Sequence, residues 1–117
     1  MAVTKDELYV GQDWARTIPL RVDGIPYVGM SGATVTAQLV KKTSDTAYTT
    51  NGAAQSCADS GNSNYAAGIV EVIYADTVTT GLTGGTWILE IKSVESGGDI
   101  RIFHITTPIL VIPTGQG

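Results

Sequence analysis

The stretch from Thr86 to Ile105 constrains this chain most. Trp87, Leu89 and Ile91 alternate with Ile88, Glu90 and Lys92, and Ser96-Gly97-Gly98-Asp99 then leads into Ile100–Ile105. A period of two places successive side chains on opposite faces of a pleated ribbon, and the paired glycines supply the positive φ that a tight reversal needs. The segment therefore reads as a β-hairpin. No 3.6-residue periodicity is sustained beyond one turn elsewhere, which sets aside a helical architecture.

The same alternation recurs along the chain. Glu7–Val10 reads as a short first strand, and Trp14, Ile18, Leu20 and Val22 share one parity in a second, with Arg16 as the exception. Asp23-Gly24 closes that strand with a turn. Pro19 interrupts it and cannot donate to a ladder, so the strand is expected at an edge or bulged there. Ala33–Lys42 sets Val35, Ala37 and Leu39 against Thr34, Thr36 and Gln38, the pattern of a half-solvated strand. Gly68–Tyr74 is read as nearly buried on both faces, Asp76 as the cap of a single helical turn, and Ile109–Ile112 as a last strand stopped by Pro113. Between them, about 43–67 dissolves into Thr, Ser, Ala, Asn and Gly. That stretch is expected to be a long polar loop or irregular hairpin around Tyr48, with a mobile tip near 51–64.

About seven short strands separated by turn signals in roughly a hundred residues match an immunoglobulin-like antiparallel β-sandwich, with a small β-barrel as the alternative. At 117 residues the chain is the size of one domain, so residues 1–117 are expected to form one. Charged residues make up only 15%, and the net charge is −4. That balance argues against a protein whose main work is to hold phosphate backbones, so no nucleic-acid partner is expected. One cysteine excludes an internal disulfide framework and any zinc site with several thiolates. No apolar run is long enough to cross a bilayer, and the first residues carry acids where a secretory leader carries bases. The expectation is synthesis in a cytoplasm and no membrane partner.

Catalytic chemistry finds little support. His104 is the lone imidazole, and its nearest acid in sequence, Asp99, belongs to the turn. A general base needs both a substrate or nucleophile and an orienting partner. It reads instead as a surface or interface histidine on the face shared with Ile100 and Ile102. Cys57 has no local basic neighbour and reads as a bystander thiol. Asp59-Ser60-Gly61-Asn62-Ser63-Asn64 has the composition of a calcium loop without its register or its terminal bidentate acid, and these residues are turn formers in their own right. Gly81-Leu82-Thr83-Gly84-Gly85 lacks the lysine and following helix of a phosphate loop. No catalytic, cofactor or metal residue is assigned. Trp87 reads as core, whereas Trp14 fits either the core or a contact surface.

The order of signals carries a resemblance. Gln12-Asp13-Trp14 leads an apolar strand and is followed by Gly24-Ile25-Pro26 and Ser31-Gly32-Ala33-Thr34-Val35-Thr36-Ala37-Gln38-Leu39. Gly68-Ile69-Val70-Glu71-Val72, Thr80-Gly81-Leu82, Gly85-Thr86-Trp87 and Pro108–Ile112 come next. Over residues 8 to 112 this resembles the immunoglobulin-like modules of tailed-bacteriophage virion proteins, notably the N-terminal domain of baseplate upper proteins and small capsid or tail accessory proteins. The resemblance implies a non-enzymatic protein of the virion that attaches to other virion proteins in multiple copies. Baseplate proteins continue beyond such a module where this chain stops at Gly117, which points the expectation toward a capsid decoration or cement protein, or a tail or baseplate accessory. Trp14, Arg16, Pro19, Tyr48, Tyr65 and His104 are the candidate interface residues. A carbohydrate- or host-receptor-binding module, stacking sugars on Tyr48, Tyr65 and Trp14, is the alternative.

Overall fold

The computed structural model describes residues 6–114. Ten strands follow in order: β1 (Asp6–Tyr9), β2 (Trp14–Pro19), β3 (Arg21–Val22), β4 (Ile25–Pro26), β5 (Thr34–Lys42), β6 (Tyr48–Ser56), β7 (Ile69–Tyr74), β8 (Gly85–Val94), β9 (Ile100–His104) and β10 (Ile109–Ile112). A 3₁₀ turn at Tyr65–Ala67 precedes β7, and a one-turn helix, α1 (Asp76–Thr79), follows it. The molecule is a β-sandwich, and no closed barrel forms.

The larger layer is ordered β1-β10-β8-β5-β6, with β9 also paired to β8. β8 is its spine. One edge pairs along its length with β5, from Thr34↔Val94 to Val40↔Ile88. The other edge is shared: β9 takes the half from Glu90 to Val94, and β10 the half from Gly85 to Trp87. Pro108, which cannot donate, lies in the break between them. All these pairings are antiparallel, but β1 runs parallel to β10, from Asp6↔Ile109 to Tyr9↔Ile112. This one parallel pair enters the otherwise antiparallel sandwich because the chain crosses between layers after Tyr9 and leaves its first strand beside its last.

The second layer is the pair β2–β7, matched from Trp14↔Tyr74 to Pro19↔Ile69. Alternation fills the space between the layers. Val35, Ala37 and Leu39 of β5, Leu89 and Ile91 of β8, and Val111 of β10 meet Val70, Val72 and Tyr74 of β7 in one cluster with Leu8, Leu20 and Met30. Each of the larger apolar side chains removed from water contributes about 1.5–3 kcal/mol. β7 alternates as well, with Ile73 exposed, so the expectation that it is buried on both faces is corrected: only the parity of Val70, Val72 and Tyr74 faces the larger layer.

Local signals place the turns. Asp23 and Gly24 both have positive φ (52° and 79°), as a two-residue hairpin loop between β3 and β4 requires. At the β8–β9 reversal Gly98 alone takes positive φ. Asp76 lies in the first turn of α1 but does not cap it; its amide donates to Asp13 Oδ1 at 2.7 Å, so the cap comes from the β1–β2 connection. Thr79 binds the same connection, donating to the Gln12 carbonyl and accepting from the Gly11 amide.

The 43–67 stretch also differs from the polar loop or mobile tip expected of it. The hairpin at Tyr48 is present, but Tyr48–Ser56 is a nine-residue strand paired to β5, with a register shift opposite Ala37–Leu39. The following loop is tied down: Glu71 accepts from the Asn62 amide and side chain, and Asp59 accepts from the Tyr65 amide. Of the loop's own side-chain oxygens, Asp59 Oδ1 and Ser63 Oγ accept internal hydrogen bonds, the latter from the Glu71 amide.

Candidate protein–protein interface

The two flanks of the sandwich are closed differently. On the β9 flank, Ile105 N–H donates to Leu89 C=O and Glu95 N–H to Asp99 C=O, which sets the phase of the β8–β9 ladder. In an antiparallel pair bonded and non-bonded positions alternate, so the N–H and C=O groups of Ile100, Ile102 and His104 point away from β8. No strand pairs with that edge among the described residues. The side chains of the same three residues lie on the outer face of the larger layer, where Ile100 is 56% and Ile102 55% exposed.

The facing edge belongs to β2. Leu20 N–H donates to Gly68 C=O, so the even residues of β2 bond toward β7 and Ala15, Thr17 and Pro19 face outward. Pro19 therefore sits where its missing N–H costs β7 nothing, as its edge assignment requires. Between the two edges runs a groove of about 510 Å³, lined by Ile18, Pro19 and Arg21 on one side and Ile102, His104 and Ile105 on the other. A second hollow of about 240 Å³, also lined by Ile18, Pro19 and Ile105, reaches the core residues Leu89 and Ile109.

The structure separates the six expected interface residues. Pro19 and His104 line the groove. Tyr48 is exposed on the outer face, its ring centroid 5.2 Å from that of His104. Arg16 lies at the far end of the flank, paired to Asp6 through Nε (2.7 Å) and Nη2 (2.6 Å), with its guanidinium carbon 4.9 Å from the centroid of Trp14. Trp14 and Tyr65 are corrected: both are only 4% exposed. Trp14 packs edge-on against Tyr74 at 5.9 Å beneath Arg16. Tyr65 lies inward, its hydroxyl donating to the Cys57 carbonyl. Neither ring offers a face to a sugar, so the stacking surface expected of three aromatics reduces to Tyr48.

Sequence reasoning passed over Ile18, Arg21 and Ile105. A signal for the exposed face was present, since Ile100 and Ile102 share parity with His104 and, by register, with Lys92 and Glu90 across the ladder. Apolar residues on a parity that also carries charge face solvent or a partner. No comparable signal marks Arg21, whose position at the groove mouth depends on how the layers stack.

His104 Nε2 lies 2.8 Å from Glu90 Oε2, and its other close contact is the Tyr48 ring. Cys57 is 1% exposed, and burial pushes its thiol up to about 11, away from the nucleophilic thiolate. No cluster of three His, Cys, Asp or Glu residues able to hold a metal occurs among the described residues. No helix among them is long and apolar enough to cross a membrane.

No protein-family profile matches the chain, and no curated protein sequence is significantly similar to it. Among solved structures, it is similar to a protein from Bacteroides vulgatus described as a "putative glycoside hydrolase", with a TM-score of 0.45 and 13% sequence identity over 96% of this chain. The chain spans 17% of that protein's length, and a likeness at this level carries no assignment of activity.

Proposed function

We propose that this chain is a non-enzymatic structural protein of a tailed-bacteriophage virion, made in the host cytoplasm and assembled in multiple copies against neighbouring capsid or tail proteins. The observation that carries the reading is the open flank: two unpaired strand edges bordering an apolar groove, with Ile100 and Ile102 exposed beside it. An exposed apolar edge strand left uncovered is an aggregation hazard, and a subunit whose edges are covered on assembly avoids it. Low charge suits the same role, because interface cores are depleted of charged residues. The sequence order quoted above supplies the resemblance to phage modules. The test is an antibody raised against the recombinant chain, applied to density-gradient-purified phage particles from the source culture. Detection in fixed stoichiometry with the major capsid or tail protein is the expected outcome; particles free of the chain overturn the proposal.

A further inference from the structure

The open flank also indicates how a neighbour would be held. A β-strand presents its backbone groups on alternate residues, and an added strand must find them in that order. β9 offers a full set at Ile100, Ile102 and His104. β2 offers less: Pro19 has no donor, and the Ala15 carbonyl already accepts from Arg16 Nη1 at 2.7 Å. Pairing is therefore available on β9, while β2 supplies the opposite wall. The groove floor is apolar at Ile18 and Ile105, and five residues of extended chain cover about 17 Å, the length of β9.

Charge identifies the occupant more closely. Arg16, at one end of the flank, is neutralised by Asp6. Arg21, at the mouth of the groove, has no carboxylate partner among the described residues; its Nη1 makes one 3.3 Å contact with the Gly24 carbonyl. We infer that the groove between β2 and β9 accepts one extended segment of a neighbouring protein, which pairs with the outer edge of β9, lays alternate apolar side chains between the layers and sets a carboxylate against Arg21. This deepens the assembly reading and rests on it only for the origin of the segment.

The test is selection of a displayed library of random linear peptides against the purified chain, followed by amide exchange of the chain with the selected peptides. Enriched sequences are expected to alternate apolar and polar residues and to carry an acid near one end, and to slow exchange at Ile100, Ile102 and His104. Arg21→Glu is expected to weaken binding by roughly three- to tenfold, since an exposed ion pair is replaced by repulsion. Ile102→Pro, which removes an outward donor and leaves the bonds to β8, is expected to abolish it; Ile102→Asp serves if the proline variant does not fold. No enrichment, protection confined to another edge such as β6, pairing of β9 with a second copy instead, or equal binding by both variants would each overturn the inference. Peptide binding with particles that lack the chain overturns the virion reading alone, and particles that contain it while peptides ignore the groove overturn the groove alone.

Discussion

The β6–β7 flank and the β2–β9 flank enclose the same core in opposite ways. On the first, Asn51 takes the part of a missing strand: its Nδ2 donates to the Thr83 carbonyl and its Oδ1 accepts from the Thr83 amide, both at 2.8 Å. Beside it Gly52, at φ 78°, packs so closely that a Cβ would lie 2.7 Å from Leu82. Tyr65 and Cys57 fill the end of this flank, and Glu71 holds the loop over it. On the second flank one exposed ion pair, Arg16–Asp6, ties β1 to β2, and the edges of β2 and β9 stay unpaired among the described residues. A sandwich has two seams to cover. This one covers the first from within and leaves the second open among the described residues.

That contrast predicts where mutation costs stability. Tyr65→Ala should cause the largest loss, about 3–5 kcal/mol, because it empties a buried aromatic site and removes the hydroxyl that the Cys57 carbonyl accepts from. The measurement is urea denaturation followed by tryptophan fluorescence. A loss under about 1 kcal/mol would mean that the closed flank is not closed by packing. Asn51→Leu should cost about 1–3 kcal/mol by the same assay, since it removes both hydrogen bonds to the Thr83 backbone, each contributing about 0.5–1.5 kcal/mol.

Alkaline pH should loosen the closed flank through Cys57. Its thiol titrates at about 11 in the folded chain, against an ordinary value of 9.0, so the folded state keeps a proton that the unfolded state releases. The stability this provides is complete below pH 9 and is lost as pH rises toward 11. The urea midpoint should fall between pH 8 and pH 10.5, and by less in Cys57→Ala. Equal falls would show that the thiol is not buried in solution.

Changes on the open flank should barely register in stability. Arg16→Ala should cost under about 1 kcal/mol, the value of an exposed ion pair with some loss of cover over Trp14. Ile102→Thr should stay within about 0.5 kcal/mol of the parent in urea denaturation. A large destabilisation by Ile102→Thr would show that β9 belongs to the folded core rather than to an interface.

Much of the architecture was legible because burial follows parity. Trp87, Leu89 and Ile91 announced β8, Val35, Ala37 and Leu39 announced β5, and Asp23-Gly24 and Pro19 marked a hairpin and an edge for stated physical reasons. β6 was not legible. Beyond Tyr48 its residues are small, mostly polar and without period, and it is a strand because β5 presents a ladder to it, not because its side chains favour one. The candidate site was read in half. Pro19, Tyr48 and His104 are on the surface as expected, but Trp14 and Tyr65 are core, since an aromatic residue next to polar neighbours suits either place until its own neighbours in space are known.

The cap of α1 makes the same point on a smaller scale: an acid stood in the right stretch of sequence, yet the acid that bonds the turn is Asp13, far away in the chain. By itself the sequence determined most of the strands and their inward faces, because those depend on a two-residue period that each segment carries alone. Only the tertiary structure decided which seam is sealed and which is open, because that depends on distant pairs, Asn51 with Thr83 and β2 across from β9. The stacking of two layers brings them together, and no local pattern encodes it.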